Sequence, residues 1–279
     1  MIVAAPGKLA FGEMIAEGFG FFFGNIQLFF HLVTIPWILS LAIRVLGAMV
    51  AAESAVAALV EKAVDVLPTI MFVVGWQRLV LLGPHRVERL PGTAWTARET
   101  AFLAHLLKVT GMTFLLMAVF MITIWPVDPE ALRAGPALDP EIARRYALAA
   151  PLSFGFIVSL LLALRVSYGL AGTSVDVPFA PRQSWIYSRG QAWTIIAALF
   201  LVYFGGAFVT AMTHMLTLGI VGGALGAREG AALVAWTATV LVSYGVIGLT
   251  TTMQAVIFRR LLGWREGMAL PAPVETRAT

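Results

Sequence analysis

Apolar positions in this chain gather into six long runs, separated by short stretches where charges, prolines and glycines collect. A helix rises 1.5 Å per residue, so about 20 apolar residues cross the ~30 Å hydrocarbon layer of a bilayer. Runs of that size predict spans at 25–50, 56–82, 100–125, 147–170, 192–217 and 231–258. Residues 8–23, ahead of the first, follow another pattern. Phe11, Met14, Ile15, Gly18 and Phe22 make an apolar stripe, and Glu13 and Glu17 share the opposite face. Such a helix suits a membrane surface. TAWTARET (93–100) and APRQSWIYSRGQAW (180–193) precede spans three and five and read as interfacial helices or ordered loops. The expected fold is all-α: one domain over 1–263, a polytopic membrane bundle of six transmembrane helices arranged as three hairpins with short interfacial helices. The tail 264–279 ends in PAPVETRAT, a composition that predicts disorder.

Composition agrees with an integral membrane protein. The chain is 59% hydrophobic and 12% charged, where a soluble domain carries about 25% charged residues. It holds no cysteine, which excludes disulfides, iron–sulfur clusters, thiolate zinc sites and a cysteine nucleophile. The N-terminus does not read as a secretory signal, because a basic n-region is missing and Glu13 and Glu17 interrupt the apolar stretch. The net charge of +4 comes from residues lying between apolar runs. That is a topology signal and not a nucleic-acid footprint.

Counting lysine and arginine near the span ends sets an orientation. One side receives eleven: Lys8, Arg78, Arg86, Arg89, Arg98, Arg182, Arg189, Arg259, Arg260, Arg265 and Arg277. The other receives five: Lys62, Arg133, Arg144, Arg145 and Arg228, with Asp128, Glu130, Asp139 and Glu141 crowding its longest loop. The richer side is expected to be cytoplasmic, which puts both termini inside. Trp76, Trp125, Trp193, Trp236 and Trp264 fall near span ends, where the headgroup region suits an indole, while Trp37 sits mid-span.

Arginine recurs at the basic end of every even span: Arg78 in GWQRLVLLG, Arg165 in ALRVSYGL and Arg259 in FRRLLGW, at intervals of 87 and 94 residues. Three similar hairpins would give this spacing, and so would any three-hairpin protein under the positive-inside rule. RLVLLG after a tryptophan, an arginine closing span four and a Ser-Trp loop before span five resemble a group of uncharacterised bacterial six-span membrane proteins. They are distantly similar to the membrane domain fused to some glycerophosphoryl diester phosphodiesterases. Tyr168-Gly169-Leu170-Ala171 stands where that group carries a Leu-Pro-Ala-like step. The resemblance implies a six-span fold in the bacterial cytoplasmic (inner) membrane. The catalytic domain is not among these residues, so the phosphodiesterase activity is not implied.

Ionisable groups inside apolar runs are the candidates for chemistry, since each costs several kcal/mol unless it snorkels, pairs or faces water. Arg44, Glu61 and Asp65 form an outer polar cluster in spans one and two. Arg44 can brace the hairpin by pairing with Glu61 or Asp65. Alternatively Glu61 and Asp65, four residues apart on one face, line a vestibule that a cation or proton path would use. Arg78, Lys108 and Arg165 lie at similar depth near the basic end. They make either one pocket for a lipid phosphate or other anion, or three cations snorkelling independently. His31 and His105 are the pair that would have to face each other to ligate a haem, with interior hydrogen bonding as the simpler role. His214 lies between Met212 and Met215, a soft-metal pattern that core packing explains equally. Pro36 and Pro68 sit near the middle of spans one and two, where prolines break helical hydrogen bonds. GIVGGALG (219–226) permits either close helix packing or a glycine-rich turn.

The chain has no GxxxxGK[ST], HExxH or GxSxG motif and no dinucleotide fingerprint. The sequence therefore predicts a non-enzymatic protein without cofactor or metal. Its expected partners are membrane lipids, together with a membrane protein or a second copy of itself. The leading reading is a small transporter or lipid-handling protein, and the alternative is an accessory or assembly subunit of a larger membrane complex.

Overall fold

A computed structural model describes residues 9–50, 55–84, 95–124, 155–225 and 228–267. Nine helices are seen among them: α1 (Phe11–Gly24), α2 (Ile26–Val50), α3 (Ala55–Leu82), α4 (Ala97–Ile124), α5 (Gly155–Ser167), α6 (Leu170–Ser174), α7 (Pro181–Tyr187), α8 (Ala192–Leu225) and α9 (Arg228–Leu262). No strand occurs among the described residues. The acidic outer loop, His85, Arg86, Arg89, Trp125 and the tail beyond residue 267 lie outside them.

Among the described residues four helices are long and apolar enough to cross a membrane: Ile26–Met49, Ala97–Val119, Ala192–Gly223 and Gly230–Leu262. The protein is thus an all-α bundle with membrane-grade helices. Predicted span two matches α3, which is 28 residues long but carries Glu61, Lys62, Asp65 and Arg78. Predicted span four matches α5, a shorter apolar helix over the described residues.

Packed pairs fix the directions. Phe29 meets Phe72 and Trp76, while Gly47 lies against Glu61, so α2 and α3 run antiparallel. Gly206 meets Val246 and His214 meets Thr239, so α8 and α9 do the same. The helices of predicted hairpins one and three therefore form packed pairs, and residues 125–154, between α4 and α5, lie outside the described residues. The two visible hairpins also end alike. Each closes on Leu-Leu-Gly, with Gly83 at φ +83° and Gly263 at φ +59° in the left-handed conformation that ends helices.

Helix α9 organises the bundle and packs against α1, α2, α3, α6 and α8. It runs parallel to α3. Trp76 donates its indole N–H to Thr252 at 2.7 Å, and the Gln77 amide donates to Gln254 at 3.2 Å. Phe22, Phe29 and Phe72 surround Trp76, with ring centroids 5.7–6.1 Å from it. Trp76 is fully buried, not at the surface as its place near a span end predicts, because its N–H has a partner inside the bundle. Gly248 admits these rings: a Cβ there would come within 2.9 Å of Phe22.

Candidate functional site

The short helices collect at the arginine-bearing end of the bundle. Helix α4 starts at Ala97 because Thr96 and Glu99 cap it: the Thr96 N–H donates to the Glu99 carboxylate at 2.8 Å, and the Arg98 N–H donates to the Thr96 hydroxyl at 3.2 Å. Helix α6 follows α5 after a turn at Tyr168 and Gly169. Tyr168 is fully buried and donates its hydroxyl to the carbonyl of Ser184, tying α6 to α7. Pro181 begins α7 in a position that needs no amide hydrogen, and Gln183 accepts the N–H of Ala180 at 2.7 Å.

The arginines at the ends of α3, α5 and α9, the predicted even spans, each grip one of these short segments. Arg78 of α3 donates to the carbonyl of Ser174 at 3.3 Å and lies 3.6 Å from the Asp176 carboxylate. Arg98 donates to the same carboxylate through two nitrogens, at 2.7–3.1 Å. Asp176 itself takes a left-handed backbone (φ 61°), which aspartate tolerates better than most residues. Arg165 of α5 donates to the Ser188 hydroxyl at 2.8 Å and the Trp185 carbonyl at 3.2 Å, with its guanidinium 3.5 Å from the centre of the Trp185 ring. Arg259 and Arg260 of α9 pair with Glu17, and Arg260 also reaches Glu13 at 2.8 Å. Helix α1 is held by these bonds, by its buried face of Met14, Gly18 and Phe22, and by Gln191, which accepts the Leu9 N–H.

Arg78 and Arg165 are therefore engaged separately, and Lys108 borders a cavity whose lining includes neither of them. That cavity is a cleft of about 510 Å³ between α4 and the chain from α6 to α7. Ala101, His105 and Lys108, at i, i+4 and i+7 along α4, form one wall. Pro178, Phe179, Ala180 and Pro181 form the other, with Thr173 and Gln183 adding polar groups. The His105 Nδ1 shares a 2.8 Å hydrogen bond with the Thr173 hydroxyl. Lys108 is exposed, and no ion pair to it occurs among the described residues. The cleft has the chemistry to receive an apolar chain carrying one negative group.

The outer cluster divides in the same way. Glu61 pairs with Lys62 at 3.2 Å and lies over Gly47. Arg44 makes no ion pair with Glu61 or Asp65 among the described residues. The Asp65 Oδ1 is buried without a hydrogen-bond partner. His31 is exposed on α2 while His105 is buried and bonded to Thr173, so the two rings have separate surroundings. His214 meets the Thr239 hydroxyl at 3.2 Å, an interior contact between α8 and α9. No group of three histidine, aspartate or glutamate side chains fit for a metal occurs among the described residues.

Sequence reading missed Asp176 and Thr96. Asp176 had a signal: it is the only carboxylate between Glu141 and Glu229. Thr96-Ala97-Arg98-Glu99 is a capping box in plain view ahead of an apolar run. No protein family model, no curated protein and no solved structure matches this chain.

Proposed function

We propose that this chain is a non-catalytic, lipid-handling membrane protein that takes an anionic amphiphile into the cleft beside Lys108. One observation carries the reading: an ammonium group without an ion-pair partner among the described residues borders a cleft whose walls are otherwise mostly apolar. A phospholipid offers the matching pair, a phosphate for Lys108 and an acyl chain for Phe179 and the prolines. In this reading the bundle has six spans in three hairpins, counting α3 and α5 with the four apolar helices. The excess of lysine and arginine at the cleft end supports a cytoplasmic placement for it and for both termini, in the inner membrane of a bacterium.

Native mass spectrometry after gentle release from the membrane tests the proposal. The expected result is retained anionic phospholipid, with K108Q weakening retention about fivefold, the worth of one lysine at ~1 kcal/mol. Equal retention of zwitterionic lipid, or no change in K108Q, overturns it. A stoichiometric protein partner in place of lipid replaces it with the accessory-subunit reading.

A further inference from the structure

The two walls of the Lys108 cleft are tied together at two places. At the start of α4, Arg98 donates through Nε and Nη2 to the two carboxylate oxygens of Asp176, at 3.0 and 2.7 Å. Arg98 stands one turn before Ala101 on one wall, and Asp176 stands between Thr173 and Pro178 on the other. About 10 Å further along α4, at 1.5 Å per residue, His105 shares its 2.8 Å hydrogen bond with Thr173. Both ties run from α4 to the segment that faces it across the cleft.

The ties differ in what holds them. Phe102, His105 and Val109 are buried, so this stretch of α4 is seated on the bundle. Around Arg98 the helix is open: Trp95, Thr96, Ala97, Thr100 and Ala101 are exposed. The side chains of Arg98 and Asp176 are themselves 30% and 60% exposed. An ion pair in water is weak and is screened by salt. Such a tie opens thermally, as a gate must, and a buried one does not. The opposite wall is the fixed one, because Phe179 lies on the core, with ring centroids 5.5 Å from Phe258 and 6.1 Å from Tyr168.

We infer that the Arg98–Asp176 pair is the gate of the Lys108 cleft, and that an anionic lipid headgroup is its key. When the pair breaks, the start of α4 tilts about the His105–Thr173 bond and the cleft widens. A guanidinium fork that fits two carboxylate oxygens also fits two phosphate oxygens. Trp95 lies just before Arg98, with its indole N–H on the Thr100 hydroxyl at 2.8 Å, and an exposed tryptophan at the start of a membrane-grade helix marks the headgroup level. A phosphate arriving there takes the fork from Asp176. Arg78, 3.6 Å from the same carboxylate, still faces the freed Asp176. The identity of the key rests on the lipid reading, whereas the opening of the gate does not.

The chain has no cysteine, so A101C/A180C places one spin label on each wall. Their separation is read by electron paramagnetic resonance in phosphatidylcholine nanodiscs. D176N is the principal variant, because asparagine tolerates the left-handed backbone of this position and removes the charge. It is expected to raise the widely separated population about threefold, the worth of one exposed ion pair. R98Q is expected to do the same and serves as the test if D176N does not fold. High salt should widen the wild type and leave D176N unchanged. Adding phosphatidylglycerol to the nanodisc should also widen the wild type. Separations unchanged in D176N and R98Q overturn the gate, and a wild type indifferent to phosphatidylglycerol overturns the headgroup as its key. The variants are read in zwitterionic lipid without reference to retention, so the gate can fail while K108Q still weakens lipid retention, and the reverse.

Discussion

At the basic end of the bundle, five arginines grip short helices through carboxylates and backbone carbonyls that are partly open to solvent. Deeper in the bundle, Trp76, Gln77 and Tyr244 join the long helices through neutral, buried hydrogen bonds. The two regions differ in what a broken contact costs. A surface ion pair is screened by salt and contributes only a few tenths of a kcal/mol. A buried donor that loses its acceptor keeps its full desolvation penalty. The core therefore holds the bundle together, and the basic end arranges short segments that can move at little cost. The Lys108 cleft belongs to that second, softer region.

This division can be broken by experiment, most sharply with W76A. It removes the side chain that fills the space between α1, α2, α3 and α9, and it is expected to cost about 4 kcal/mol, measured by thermal unfolding in detergent. G248V places a branched side chain against Phe22, Phe29 and Phe72, and about 3 kcal/mol of destabilisation is expected in the same assay. Y244F removes the hydroxyl shared with Ser40 and Pro36 and is expected to cost about 1 kcal/mol. D176N stands last at about 0.5 kcal/mol. Its effect should instead appear as faster proteolysis around residues 177–183, and high salt should bring the wild type toward the variant. A D176N protein that melts as early as W76A would end the distinction between the two regions.

The long helices were legible because each one needs only length and apolar content, and those properties are local. Predicted span one, 25–50, differs from α2 by one residue at its start. Other features depended on partners that no local pattern names. Glu13 and Glu17 look like the wet face of a surface helix, yet they meet Arg259 and Arg260 from the far end of the chain. Trp76 looks like a headgroup tryptophan until Thr252 supplies its acceptor. Arg78, Lys108 and Arg165 share a depth but not a direction. Depth follows from position in a span, whereas direction follows from packing between helices.

Helix α9 is made on the ribosome after every helix it touches. Until it arrives, α3 holds an indole N–H and a glutamine amide that lack their α9 partners. The earlier helices can insert one by one, because their apolar runs suffice for insertion, but their polar residues stay unmatched while they wait. Assembly of this protein is thus a vectorial process with a late closing step. A chain stopped before residue 228 would be inserted and unfinished, with Trp76 and Gln77 exposed to quality-control proteases that read polar groups in the membrane.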